Sequence, residues 1–115
     1  MDKADYQDFI GKVVTVVIDR PMGSYHPKHG HLYPVNYGYI PGTLAGDGKE
    51  IDAYILGLDK PILEFKSVVL AVIHRLDDLE DKLVVVPFGL ALTDEQIAEA
   101  VQFQEQYFDF VVIHK

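Results

Sequence analysis

YPVNYGYIPGTLAGDGKEID, residues 33–52, is the stretch on which the reading of the whole chain turns. Tyr33, Tyr37 and Tyr39 alternate there with Pro34, Gly38, Pro41 and Gly42. Each proline removes a backbone donor and each glycine favours a turn, so an amphipathic helix is excluded and a shaped loop is expected. A phenol buries an apolar ring while its hydroxyl serves as donor or acceptor at the end of a pocket. The stretch closes on Asp47-Gly48-Lys49-Glu50-Ile51-Asp52 and enters the apolar run Ala53-Tyr54-Ile55-Leu56. Carboxylates at the mouth of a strand suit a hard cation such as Mg2+, which takes oxygen ligands and keeps several waters. A plain Asp-Gly hairpin turn accounts for the same residues, and both readings stand at this point.

Composition narrows what such a site can serve. The chain has 115 residues, 49% of them hydrophobic, which suits one folded domain spanning residues 1–115. Eighteen acidic against ten basic residues give a net charge of −8, the wrong sign for gripping nucleic acid through its phosphates. The same sign disfavours an anionic small substrate unless bound cations invert the local field, so a phosphate-handling site here requires metal. No segment has the apolar length to cross a bilayer, and the opening MDKADYQDF lacks the cationic and apolar regions of a signal peptide. Cytoplasmic residence without a membrane partner is therefore expected. There is no cysteine, which excludes disulfides and thiolate metal sites. A homo-oligomer is expected only as the usual habit of small soluble domains.

Outward from the central stretch, the β-branched run 12–18 reads as a strand ending at Asp19-Arg20, a pair that either faces the site or forms a surface ion pair. His26, His29 and His31 follow in an H-x-x-H-x-H pattern beside Lys28. Three readings fit them: a histidine-bound metal, a cationic loop facing phosphate, or a solvated loop. Further strands are expected at 53–58, 66–74 and 83–86. The acidic turn at 75–82 is either a solvated hairpin tip or a second carboxylate group for a metal site. Thr93 with Gln96 three residues on starts a helix, whose buried stripe is expected at Ile97, Val101, Gln104 and Phe108. The tail 110–113 adds a last strand or covers the sheet. These elements make a mainly β protein, a small barrel with one C-terminal α-helix.

The run Tyr33-Pro-Val-Asn-Tyr-Gly-Tyr39, the Asp47-Gly-x-x-x-Asp52 segment, the Lys82-Leu-Val-Val-Val-Pro87 strand and the helix end Phe103-Gln-Glu-Gln-Tyr107 together resemble the soluble family I inorganic pyrophosphatases. The resemblance runs over about residues 13–107, in a chain shorter than a typical member. It implies an OB-type β-barrel, dependence on Mg2+ with Mn2+ as a substitute, and hydrolysis of pyrophosphate or a related phosphoanhydride. By position it implies metal ligation by Asp47, Asp52 and the acids Asp77, Asp78 and Glu80. Tyr37 would support the nucleophile's hydrogen bonds, with Asp47 or Glu50 as proton acceptor. Tyr33, Lys82 and Tyr107 would face phosphate, joined by Arg20 and Lys28 as replacement cations. Asp19 falls near a family glutamate.

The departures are specific. Lys49 stands where the family has a metal-binding aspartate that accepts the water's proton. The hairpin that carries a phosphate-clamping arginine is deleted between His31 and Tyr33, Ser24 aligns near an early lysine, and Phe108 follows the helix tyrosine in place of another. The two resulting expectations are a Mg2+-dependent phosphoanhydride hydrolase and a non-catalytic OB module binding a metal, a phosphometabolite or a protein partner.

Overall fold

A computed structural model describes residues 6–114, so the polar leader at residues 1–5 lies outside the described residues. After a short 3-10 turn at Tyr6–Phe9, the elements are β1 (Val13–Arg20), β2 (Asn36–Ile40), β3 (Ile51–Ile55), β4 (Glu64–Arg75), β5 (Lys82–Val86), α1 (Asp94–Glu105) and β6 (Phe110–Ile113). The strands form one sheet in the order β1-β2-β3-β5-β4-β6, and β1 also pairs with β4. That extra pairing closes the first five strands into a barrel, with β3 and β5 parallel and the remaining pairs antiparallel. The expected OB-type barrel with one helix is thus formed, and the tail becomes its sixth strand.

Period-two alternation divides the side chains between two cores. Ile51, Ala53, Ile55, Leu83 and Val85 join the cluster that includes Val16, Ile18 and Ile40. The intervening Tyr54, Leu56, Val84 and Val86 join the cluster that holds the helix residues Ile97 and Val101. All five residues of β5 are buried, which is why it reads as a continuous apolar run rather than an alternating one. The register of β4 against β5 shifts between Val69 and Ala71, so Leu70 and Ala71 both fall in the helix-side cluster.

The central stretch is not one continuous loop, because its middle forms β2. Gly38 makes this possible, since a Cβ there would lie 1.9 Å from the Val17 carbonyl oxygen of β1. Only a residue without a side chain lets β1 and β2 approach this closely. Buried Asn36 then ties the two neighbouring loops, accepting from the Met22 and Ile62 amides at 2.9 and 3.2 Å and donating to the Lys60 carbonyl at 2.9 Å.

The helix begins as its capping box dictates: the Thr93 hydroxyl accepts from the Gln96 amide, and the Gln96 side chain accepts from the Thr93 amide. It ends at Glu105, before Phe108, and the residues it buries are Ile97, Val101 and Glu105. The expected stripe therefore continues onto a carboxylate. Glu105 is fully buried and receives two parallel bonds from Arg75 at the end of β4, Nε to Oε1 at 2.9 Å and NH2 to Oε2 at 2.8 Å. Tyr54 adds a 2.6 Å bond to Oε2, and Phe108 lies with its ring centroid 3.8 Å from the guanidinium carbon. Burial penalises the Arg75 charge, but Glu105 outweighs that and raises its pKa. Glu105→Ala should strand a buried guanidinium and lower unfolding free energy by about 3–5 kcal/mol in urea titrations, with Glu105→Gln retaining part of that stability.

Candidate active site

A cleft of about 720 Å³ opens on the helix side of the barrel. Its floor holds Tyr33, Tyr37 and Asp52, and Asp19 and Arg20 from the end of β1 stand at one side. Arg75, Lys82, Gln104, Tyr107 and Phe108 form the opposite side, and the three histidines complete the lining. The segment carrying them is a short hairpin, fastened by Tyr33 N to Ser24 O and His26 N to His31 O, both 2.8 Å, with Tyr25 bridged to Leu32.

Aromatic contact builds the floor. Tyr37 packs against Tyr33 and Tyr54 with centroids 5.5 and 4.9 Å away, within the usual range for such pairs. Hydroxyls fix the rings from the far end: Tyr33 donates to Gln104 Oε1 at 2.7 Å, and Gln104 donates to the Tyr54 oxygen at 2.9 Å. Tyr37 donates to Asp52 Oδ2 at 2.6 Å. Burial, then the Asp52 charge, push the Tyr37 phenol well above its ordinary pKa, so it remains a donor throughout the neutral range.

Asp52 Oδ2 also accepts from Lys82 Nζ at 3.1 Å, and the same ammonium bonds to Glu80. Lys82 is 3% exposed, so its charge is held between two carboxylates rather than presented to solvent. Across the cleft, burial and the nearby Asp52 charge raise the pKa of Asp19, against the opposing pull of Arg20. The Asp19-Arg20 pair faces the cleft, and the guanidinium approaches its neighbour's carboxylate only to 3.7 Å.

Comparison with known proteins gives this arrangement a lineage. The family model described as inorganic pyrophosphatase matches residues 8–111. The chain belongs to the inorganic pyrophosphatase family. The inorganic pyrophosphatase of Rickettsia prowazekii is 28% identical over 108 positions, covering 75% of this chain and 63% of the relative. That of Neisseria meningitidis serogroup A is 31% identical over 101 positions, covering 70% and 56% respectively. The chain thus spans less than two thirds of the length of these pyrophosphatases. Among solved structures, the Ehrlichia chaffeensis inorganic pyrophosphatase superposes with a TM-score of 0.69 at 18% identity, covering 98% of this chain and 92% of that one. At that identity the superposition establishes the shared fold.

The site residues expected of a pyrophosphatase separate into two groups. Tyr33, Tyr37, Asp52, Lys82, Tyr107 and Arg20 line the cleft, with Glu80 joined to it through Lys82. Asp47, Lys49, Glu50 and Lys28 are exposed and do not line it. Asp47 accepts from the Lys49 amide of its own turn at 3.0 Å, Asp78 accepts from Arg75 and from the Leu79 amide, and Asp77 accepts from the Asp109 amide at 3.4 Å. The two turns do touch, since a Cβ on Gly46 would meet the Leu79 carbonyl oxygen at 2.0 Å. Their carboxylates nevertheless turn to local partners. Among the described residues no group of three histidine, aspartate or glutamate side chains converges on one metal position. Asp52 and Glu80 do meet at one cation, the Lys82 ammonium, and a pair of hard oxygen donors suits Mg2+, which accepts one or two carboxylates and fills its remaining positions with water and phosphate.

The three histidine rings pack against one another. His26 lies 4.5 Å from His29 and 4.9 Å from His31 between ring centroids. Its Nδ1 accepts from the backbone amides of Lys28 and His29, both at 3.0 Å, a role only an unprotonated nitrogen can fill. Partial burial, then the neighbouring His29 and His31, lower its pKa. A base whose folded pKa lies below its unfolded value stabilises the fold above the unfolded value, near 6.5, and loses that contribution as pH falls through the folded value. Acidification through that folded value should therefore release the Lys28 and His29 amides, seen as faster hydrogen exchange after correction for intrinsic rate. In His26→Gln, whose amide oxygen does not titrate, the acid-induced change should disappear.

Proposed function

We propose that this chain is a Mg2+-dependent hydrolase of pyrophosphate or a related phosphoanhydride, with Mn2+ as an alternative ion. The observation that carries the reading is the Tyr37-Asp52-Lys82-Glu80 chain of contacts on the floor of the cleft, in a chain of pyrophosphatase lineage. Asp52 and Glu80 would hold the ion, which when bound supplies positive charge and acidifies a water. Tyr37 orients Asp52 by donating to one of its oxygens. Once the two carboxylates engage an ion, the Lys82 ammonium becomes available to phosphate oxygens. Arg20 and the Tyr107 hydroxyl supply donors from the cleft walls.

With Lys49 at the family's base position and Asp47 and Glu50 outside the cleft lining, Asp19 is the carboxylate best disposed to accept a proton, because burial already favours its protonated form. Water attacks one phosphorus, the bridging P–O bond breaks, the second phosphate departs, and the water's proton passes to Asp19.

A second reading, a binding module without turnover, draws on Lys49 and on the missing three-residue metal group among the described residues. Phosphate release from pyrophosphate separates the two. Release should require Mg2+ or Mn2+, stop with chelator, and fall by about 100-fold or more in Asp52→Ala. Absence of release with either ion, across nucleotides and polyphosphates as well, would overturn the hydrolase and leave the binding module.

A further inference from the structure

The cleft's cations differ in how far they are already neutralised. Lys82 sits between Asp52 and Glu80, and Arg75 is held by Glu105 and Asp78. Arg20 donates to the Asp19 backbone carbonyl at 3.2 Å and lies beside the Tyr33 phenol, and its nearest carboxylate, that of Asp19, is 3.7 Å away. The remaining nitrogen donors at this wall are imidazoles. His26 is occupied as the acceptor that shapes its turn, which leaves His29 and His31.

His31 carries a second sign of an unfilled role. Its Nε2 is covered by its surroundings and has no hydrogen-bond partner among the described residues. The ring is held between Tyr33, at 5.3 Å, and Phe103, at 6.0 Å, and lies nearly parallel to His29 at 6.3 Å. A covered ring nitrogen without a partner is costly, and the cost vanishes when a ligand oxygen accepts its proton. His29, exposed at the hairpin tip, is the movable side of that enclosure.

We propose that the 26–31 hairpin is an oxyanion-binding wall, in which His29 and His31 as imidazolium ions, together with Arg20, bind one phosphoryl group of the ligand. The inference rests on the phosphoanhydride reading of the cleft, and it gives ligand binding a pH dependence that lysine or arginine at these positions would not. Imidazole is the side chain that gains its charge between about pH 8 and 5, and an anion that prefers the charged form must bind more tightly as pH falls through that interval. Other charged and titratable groups face the same wall, first of all His26, which packs 4.5 and 4.9 Å from the two rings and whose protonation would also favour an anion. Asp19 and Arg20 approach from β1 and Lys28 from the hairpin itself, while Asp52, Arg75 and Lys82 lie across the cleft. Burial raises the pKa of the Tyr33 phenol, so it stays neutral in this interval. Protonation of Asp19 would also favour an anion, so the test must remove the imidazoles and keep the carboxylate.

Inorganic sulfate is the suitable probe, because its charge is constant where phosphate's is not. Titrated calorimetrically into the full chain, sulfate should bind roughly tenfold more tightly at pH 5.5 than at pH 7.5. Sulfate at pH 5.5 should move the imidazole carbon resonances of His29 and His31 and leave those of His74 and His114 in place. His29→Gln and His31→Gln, singly and together, should flatten the pH dependence. No sulfate binding, binding that ignores pH, or an unchanged pH dependence in the double variant would each overturn the proposal. Phosphate release assayed on the same proteins keeps the two readings apart. Release without the sulfate linkage removes the histidine wall and leaves the hydrolase; the linkage without release keeps the wall and removes the hydrolase.

Discussion

The two parallel hydrogen bonds between Arg75 and Glu105 set the geometry on which the cleft depends. They join the last residue of the longest strand to the last residue of the only α-helix among the described residues, with Glu105 fully buried and Arg75 nearly so. A buried pair of this kind need not add net stability over an apolar pair, but it tolerates only one arrangement. Because Tyr54 and Gln104 extend it to Tyr33, the helix end, β3 and the start of the central stretch share one network of bonds. The floor of the cleft is the far side of that network.

The same interaction explains why an acidic protein can hold an anion-shaped cleft without strong positive potential. Two of its cations have dedicated carboxylate partners, so the field at rest is close to balanced. Of the cleft's cations, Arg20 alone is left without a close carboxylate partner.

Much of the fold was legible in the residues. The apolar run 83–86 announced a strand, and Thr93 with Gln96 placed the helix start where its capping bonds form. β2 was hidden because Gly38 and the flanking prolines carry turn chemistry, while the use of Gly38 is set by the Val17 backbone twenty-one residues earlier. Glu105 was hidden for another reason, since a glutamate on a helix reads as solvated unless its partner is known. The one available signal was the four-residue spacing from Ile97 through Val101, which aligns a carboxylate with two apolar positions. At the site, tyrosines and Asp52 were readable from their motif. The orientation of Asp47 was not, because a short acidic side chain after a glycine can close its own turn as easily as it can face a ligand.

The ammonium between Asp52 and Glu80 bears on how such a protein is made. Metal centres assembled from unbalanced ligands often cannot fold until the ion arrives, so their yield follows the supply of metal. Here a lysine of the chain offsets one of the two carboxylate charges from the outset. That contact ties β3 to the start of β5 and to the acidic turn before it using only groups the chain itself carries.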